Sequence, residues 1–461
     1  MAATKKGNAG GASIRAFVFK HSQFNHLAQL TGEDAWALVN FAHGTVARLN
    51  AVQKAVFDVA PTIRPDVPLM REWLRQGFVV DAAFDEVEAV RERVNRFREG
   101  FASGASKRSL EIVVRVTSAC NFACPYCFQD RRGGHMAPEV RSALVRFVER
   151  RLESGRHDHL GVAWFGGEPL LAPDVIDELS AAFMGLAERF GVGYSAMIHT
   201  NGYLLDQDMV DFLEARHVDA AIVPIDGMGE AHDATRHLHG GGPTFDRIMG
   251  NLRTIQTSMF VNVRNNLHAG SLERFDELCE MVDGIARENG TNIRCSPSRV
   301  KPTAAGQARG DTTQTITEEQ YEWTLARAGL PAKLRAFEPV LAPCPAALAN
   351  EVHIDELGYL YPHCSFYSVD PACAVGNLLD EGGGGSDAWI TALSARAQRL
   401  CFPDDQPKCL ACTFLPCCLG GCPVQRLQMG EPDCPTALFD PDSYAIDRLR
   451  SVQDAGLPAD G

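Results

Sequence analysis

Between residues 107 and 300 the chain alternates apolar runs with amphipathic stretches six times over, and few folds accommodate that rhythm. Leu110 to Val116, Leu160 to Phe165, Tyr194 to Ile198, Asp219 to Ile225, Phe260 to Val263 and Asn292 to Cys295 read as strands. Pro138 to Leu152, Val175 to Phe190, Met209 to Arg216, Phe245 to Ile255 and Ser271 to Glu288 have helical spacing. Six βα repeats predict an α/β fold: a parallel sheet with helices outside, curled as a partial (β/α)6 barrel of the TIM-like kind. In such barrels the chemistry sits on loops at the C-terminal ends of strands. The polar and glycine-rich motifs of this region all fall there: Cys120 to Cys127, Gly166-Gly167-Glu168-Pro169, His199-Thr200-Asn201-Gly202, Asp226-Gly227 and Arg264-Asn265-Asn266. Packing alone does not predict that coincidence.

The first of these loops reads C-x3-C-x2-C, with Tyr126 just before the last cysteine. Thiolates are the ligands of iron–sulfur clusters, and a [4Fe–4S] cluster held by protein alone takes four. Three at tight spacing leave one iron free to chelate a small molecule and pass it an electron. The plainer alternative is a zinc knuckle, although zinc sites more often use ligand pairs separated by a longer loop.

Over 107 to 300 the chain resembles the radical S-adenosylmethionine (SAM) enzymes. The resemblance implies that Cys120, Cys124 and Cys127 hold the SAM-binding cluster, beside Tyr126. Gly166, Gly167, Glu168 and Pro169 resemble the family's GGEP element, in which the glycines let the backbone approach the ligand and Glu168 helps hold the methionine amino group. Thr200, Asn201 and Gly202 resemble the TNG strand end that borders the pocket. Ile225-Asp226-Gly227 with His232, Asp233 and Arg236 resembles the S-I-D-G…H-D…R pattern of the peptide-modifying branch, except that Pro224 stands in the serine position. Arg264 and Asn266 match an Arg-x-Asn strand end that faces the SAM carboxylate. Plainer readings stand beside these: His232 and Asp233 as caps of the next helix, Arg236 as a solvated residue. The implied chemistry is reductive cleavage of SAM to methionine and a 5′-deoxyadenosyl radical, which abstracts hydrogen from an unactivated C–H bond. No catalytic residue is assigned beyond the cluster loop.

Fifteen cysteines in a chain lacking an export-signal pattern argue for metal ligation rather than disulfides, and place the expected compartment in the cytoplasm. None precedes Cys120, and ten lie from Cys344 onward. Cys279 and Cys295 read as small buried hydrophobes. Cys344, Gly358, Cys364 and the run Cys409-x2-Cys412-x5-Cys418-x3-Cys422, followed by Cys434, resemble a SPASM domain, a module of two auxiliary [4Fe–4S] clusters. A zinc ribbon is the plainer alternative. The resemblance implies Cys344, Cys364 and Cys422 for the first auxiliary cluster, with Cys373 or Cys401 as a fourth ligand or an open site for substrate sulfur. It implies Cys409, Cys412, Cys418 and Cys434 for the second, giving three clusters in all. The chain departs from the family by G-x5-C where G-x4-C is usual, because His363 precedes Cys364.

The expected organisation is an α+β N-terminal module over 1–106, the barrel over 107–325, the cysteine-rich SPASM domain over 326–450 and a frayed tail over 451–461. In the first unit Ala16 to Phe19 and Val46 to Leu49 suit strands, and Val52 to Val59, Pro68 to Gln76 and Asp85 to Glu99 suit helices. Such a module could be winged-helix-like and dock a leader peptide. Ser298 to Ile316 reads as a polar linker, and Glu381-Gly-Gly-Gly-Gly-Ser as a mobile loop. A net charge of −14 disfavours nucleic acid as a partner, and no run of about 18 apolar residues crosses a membrane.

Family resemblance points to a maturase that cross-links a ribosomally made precursor peptide through a thioether or carbon–carbon bond, fed by a flavodoxin- or ferredoxin-type reductant. Sulfatase maturases, which form formylglycine, usually carry Asp after the second SPASM cysteine; here Ser365 is a poor base. A non-catalytic iron–sulfur electron carrier is the alternative from another class.

Overall fold

The computed structural model describes residues 18–102, 109–129, 133–300, 310–327, 351–362, 373–380, 401–423, 430–432 and 440–454, with isolated positions 306, 308, 392, 395, 426 and 434. Cys344, Cys364, Ser365, Ala16 and the Glu381-Gly-Gly-Gly-Gly-Ser stretch lie outside them.

Six strands form the expected parallel sheet: β6 (Ser109–Thr117), β7 (His159–Gly166), β8 (Gly193–His199), β9 (Val218–Ile225), β10 (Phe260–Leu267) and β11 (Ile293–Arg299). They lie in sequence order, each joined to the next by helix. The helices are α4 (Pro138–Glu153), α5 (Pro173–Phe190), α6 (Gln207–Glu214), a short α7 (Glu230–Thr235), α8 (Phe245–Thr254) and α9 (Phe275–Asn289). Proline opens α4 and α5, where its fixed φ suits the first turn. Left-handed Gly191 and Gly290 close α5 and α9. Leu110, Ile112, Val114, Leu160, Val162 and Trp164 meet Leu144, Phe147, Leu179 and Phe183 of the helices in one large apolar core. Alternate residues line the inner face of the curled sheet, so strand period alone sorts packing residues from site residues. Ser298 and Arg299, expected in a linker, complete β11, and Ile316 packs against Leu267 and Phe275.

The sheet continues past β6 through β12 (Glu351–Ile354), which is parallel to it, and then antiparallel β13 (Tyr359–Pro362) and β14 (Gly376–Asn377). A buried ionic group fixes this extension. Arg115 of β6 donates from Nε to Glu356 at 2.5 Å and pairs through Nη2 with Asp355 at 3.4 Å. Tyr361 donates to the same Asp355 oxygen, Oδ2, at 3.0 Å. Removing one partner of a buried ion pair leaves uncompensated charge. Arg115→Met is therefore expected to cost about 3–5 kcal/mol, read as a lowered denaturation midpoint, with the loss shrinking in acid as Asp355, whose carboxyl burial raises, takes up a proton. An unchanged midpoint at neutral pH would contradict the ionic account.

The N-terminal unit holds a two-stranded ribbon of β1 (Phe19–His21) with β5 (Val79–Asp81), and an antiparallel sheet β2 (Asn25–Gln29), β3 (Ala35–Asn40), β4 (Thr45–Asn50). It also holds α1 (Ala51–Asp58), α2 (Pro68–Gln76) and α3 (Glu86–Ala102). One face of the sheet packs on Phe57, Met70, Trp73 and Phe78. The other is joined to the C-terminal region: Phe24, Ala28, Val39 and Phe41 share a core with Cys401, Phe402, Cys409, Leu415, Cys417, Tyr444 and Leu449. Polar contacts cross the same boundary, including Arg91 with Asp404 at 2.8 Å and His26 with Asp442 at 2.7 Å. Beyond the barrel lie α10 (Glu318–Arg327), the single turns α11 (Pro407–Leu410) and α12 (Leu415–Cys418), and α13 (Pro441–Asp454). The last helix corrects the expectation of fraying from 451, since it runs through Asp454.

Candidate active site at the strand ends

The cysteine loop leaves β6 and is held from both sides. On one side β7 ends in Gly166 and Gly167, and the backbone of Gly167 and Glu168 donates to Thr117 O at 3.0 Å and Ala119 O at 2.8 Å. This approach requires glycine. A Cβ on Gly167 would lie 2.2 Å from the Ala119 carbonyl oxygen, and one on Gly166, whose φ is +155°, 2.5 Å from Thr117 O. On the other side the chain after α7 braces the loop: Ala123 N donates to His237 O at 2.8 Å and Phe122 bridges to Leu238.

Cys120, Cys124 and Cys127 lie within electrostatic reach of one another. Burial raises Cys120 and pushes Cys124 up to about 12, and the nearby carboxylates and thiols add to it while Arg236 opposes it. A thiol must lose its proton to bind iron, so uptake at this loop competes with protonation. Cluster reconstitution is expected to gain rate and yield from about pH 6.5 to about 8.5, with protons released to the medium. A flat profile would show that these thiols are not the protonated ligands.

Glu168 is fully buried, and burial raises its carboxyl. It accepts from Leu170 N at 3.0 Å, Thr200 Oγ1 at 2.8 Å and Asn201 N at 2.7 Å. A carboxylate has about four acceptor positions, so these donors orient it and leave room for one more. Pro169 is buried in the turn that follows. Asn201 reaches back to the cysteine loop, donating from Nδ2 to Asn121 Oδ1 at 2.7 Å.

Asp226, at the end of β9, centres a second network. Tyr126 donates to its Oδ2 at 2.5 Å and Thr235 to the same oxygen at 2.9 Å, while Asn266 Nδ2 donates to Oδ1 at 3.2 Å. His268 Nε2 donates to the Asp226 carbonyl at 3.1 Å. Arg236 donates to the Tyr126 hydroxyl at 3.2 Å and lies over the Phe122 ring at 5.6 Å. Burial would lower the Arg236 guanidinium, but Tyr126, Cys124 and Asp226 outweigh it and keep it firmly charged. Burial and Asp226 push the Tyr126 phenol well up.

Of the two plain readings, one holds in part. Asp233 caps α8, accepting from Thr244 N at 2.7 Å and Phe245 N at 3.0 Å. His232 is buried and accepts at Nδ1 from Asp226 N at 3.1 Å, with Nε2 facing Thr244 Oγ1 at 3.1 Å. Burial holds its pKa well below the usual histidine value, so it is a neutral structural bridge. Arg236 is not a solvated residue; it is the buried cation of the site. The structure thus brings Tyr126, Gly166, Gly167, Glu168, Thr200, Asn201, Asp226 and Asn266 around the cysteine loop. Arg264 lies one step further along the inner face, donating to Ser298 Oγ at 2.7 Å while within electrostatic reach of Tyr126 and Asp226. Asn121, Thr235 and His268 escape sequence reasoning: Asn121 sits inside the loop motif, but nothing marks the other two.

The C-terminal cysteines sort themselves. Cys409 is within electrostatic reach of Cys412 and Cys434, and Cys418 of all three. Burial raises Cys409 and pushes Cys418 up to about 11. Cys373 and Cys422 lie partly buried against the shared core. Cys401 faces Asn95 of α3, and Cys417 donates to Phe41 O at 3.6 Å, so these two join the region to the N-terminal unit. Among the described residues no three His, Cys, Asp or Glu side chains are grouped to hold a single metal ion.

The family model of the radical SAM superfamily matches residues 114–283, spanning both networks and the cysteine loop. The chain carries a radical SAM domain. Its relatives include the radical SAM cyclopropyl synthase TigE of Paramaledivibacter caminithermalis, 22% identical over 240 residues, 49% of this chain and 48% of that protein. The chain spans about half the length of the first curated relatives it matches. Among solved structures, native anSMEcpe with bound AdoMet and the Cp18Cys peptide matches with a TM-score of 0.51 at 18% identity, over 75% of this chain and 97% of that one. SuiB of Streptococcus suis bound to S-adenosylmethionine matches with a TM-score of 0.50 at 16% identity, over 92% of this chain and 99% of that one. These likenesses establish the partial-barrel fold. No helix among the described residues is long and apolar enough to cross a membrane.

Proposed function

We propose that this radical SAM domain serves a peptide maturase, which takes a hydrogen atom from a ribosomally made precursor and installs a thioether or carbon–carbon cross-link. The observation that carries this reading is the second thiol group. Cys409, Cys412, Cys418 and Cys434 lie within electrostatic reach of one another, and cross-linking leaves an electron that an auxiliary cluster there could accept. The peptide named with anSMEcpe supports a peptide substrate here.

The donor sets fit the groups this reading needs: soft thiols, a glycine cradle and an oriented carboxylate. Cys120, Cys124 and Cys127 would hold a [4Fe–4S] cluster. Cys409, Cys412, Cys418 and Cys434 would hold an auxiliary one, and Cys344, Cys364 and Cys422 with Cys373 another. When bound, the first cluster supplies the electron that cleaves SAM to a radical able to attack an unactivated C–H bond. The chain's own residues do the placing. Gly166 and Gly167 bring the β7 backbone against the loop, and Glu168 offers its remaining acceptor position to the methionine ammonium. Arg236 balances the thiolates and Asp226, while Asn266 and Arg264 would supply donors to the SAM carboxylate. The N-terminal unit would dock the leader.

Anaerobic reconstitution followed by dithionite and SAM tests the first half, because absence of 5′-deoxyadenosine would leave only an iron–sulfur carrier. Incubation with peptides encoded beside the gene tests the second by mass spectrometry. Loss of two hydrogens supports a cross-link. Unchanged mass with deuterium uptake would replace it with epimerisation, and formylglycine on a sulfatase peptide with sulfatase maturation.

A further inference from the structure

The inner face of the barrel is divided into two unlike halves. Along β7, β8 and β9 the residues that alternate with the helix-facing core are Ala163, Phe165, Met197, His199, Ile222 and Pro224, and each is partly exposed. None is an Asp, Glu, Lys or Arg. Along β10 and β11 the same face is polar, with Asn262, Arg264, Asn266, Ser296 and Ser298. A closed barrel of this kind fills its interior with layers of side chains. Here the exposure kept at every one of these positions leaves a lumen, apolar on one side and hydrogen-bonding on the other. Phe165 stands at the upper rim of the apolar side. Its ring meets His199 edge-on at 5.4 Å and 78°, meets the buried His353 edge-on at 5.6 Å and 88°, and stacks on Phe128 at 6.5 Å and 18°. These neighbours fix the ring and still leave it partly open to the lumen. Phe165 also lies close to the chemistry: it precedes Glu168 by three residues, and His199 adjoins Thr200, which donates to Glu168 at 2.8 Å.

We propose, resting on the peptide-maturase reading above, that Phe165 is a specificity-determining residue: its ring receives an aromatic side chain of the peptide substrate, at or beside the residue that loses hydrogen. A radical generated on SAM held at Glu168 acts only on a C–H bond brought against it, and the Phe165 rim borders that place. The choice of an aromatic over an aliphatic side chain follows from the ring array. A cluster already built of edge-on and stacked contacts extends by one more ring, and such pairs gain beyond the area they bury. An aliphatic side chain gains the burial alone. A charged side chain would give up its hydration against this half of the lumen and meet no opposite charge among the six residues that line it.

A test compares two side chains of equal shape. The full-length, iron-loaded protein, held anaerobically with SAM, is titrated with acetyl-Gly-Phe-Gly-amide and with its cyclohexylalanine counterpart. Binding is followed by saturation-transfer NMR, which needs no turnover. The phenylalanine peptide is expected to bind roughly two- to tenfold more tightly than the saturated one. Phe165→Leu should erase that difference, and Phe165→Tyr, which keeps the ring, should retain it, with iron content and denaturation midpoint read on each variant. Equal or reversed affinities in the unaltered protein would overturn the proposal, whether or not the variants fold. A difference that survives Phe165→Leu would overturn it too, because the ring is then bound elsewhere. Failure of the maturase reading shows separately, as peptides that bind and are never changed in mass.

Discussion

Gly167→Ala is expected to empty the first cysteine loop of iron while leaving most of the chain folded. The added methyl would collide with the Ser118–Ala119 backbone, 2.2 Å from Ala119 O, 2.6 Å from Ala119 C and 2.8 Å from Ser118 O. No rotamer relieves a Cβ contact, so the strand end or the cysteine loop must move. Movement breaks the hydrogen bonds from Gly167 N and Glu168 N that register the two segments. Overpacking of this kind costs about 1–3 kcal/mol, but the larger effect is on the site, because three thiols must converge within tenths of an ångström. Iron per chain should fall by the share of one cluster, and SAM cleavage should drop to background. Gly185→Ala supplies the control: that glycine lies within α5 with nothing near its Cβ position, and alanine there should be neutral or stabilising by about 0.5–1 kcal/mol. Full iron content in Gly167→Ala would mean the loop does not depend on the glycine cradle.

Arg236→Met is the second large effect. The guanidinium is the buried positive charge against Tyr126, Asp226 and the first cysteine loop, with its Nε 4.0 Å from Asp226 Oδ1. Its loss strands the Asp226 carboxylate in a fully buried position, a penalty of about 3–5 kcal/mol. It also removes the group that lowers Cys120 and Cys124, so both thiols rise further. The pH at which reconstitution reaches half its yield should move alkaline by on the order of one unit. Arg236→Lys should restore most of that shift, because it keeps the charge, but less of the stability, because an ammonium cannot reproduce the planar contact with Tyr126 and the Phe122 ring. A stability loss in Arg236→Met with an unmoved pH profile would reduce the arginine to a packing element.

Legibility in the sequence followed the range of the interactions. The six parallel strands were readable because each is a local apolar run bounded by turn residues, and the strand-end motifs were readable because topology places such ends together. β2 and β3 were not read. The first carries one bulky apolar residue, Leu27, among Asn25, His26 and Gln29, and the second is covered on both faces and so lacks alternation. One face of the sheet is buried by elements of its own unit and the other largely by residues hundreds of positions away. The Arg115–Glu356 pair spans 241 positions and leaves no local trace. Arg236 was visible as a motif member, yet only its burial beside Asp226 and Cys124 sets its charge role apart from an ordinary surface arginine.

The core shared by Phe24, Val39 and Phe41 with Leu415, Tyr444 and Leu449 has a consequence for biogenesis. During translation α3 supplies Val90 and Val94 to that face early, but its C-terminal partners follow more than three hundred residues later. At about 5–20 residues per second that interval lasts tens of seconds, long enough for a chaperone to be the face's temporary cover. The C-terminal region that completes this core is assembled only once the last helix has emerged.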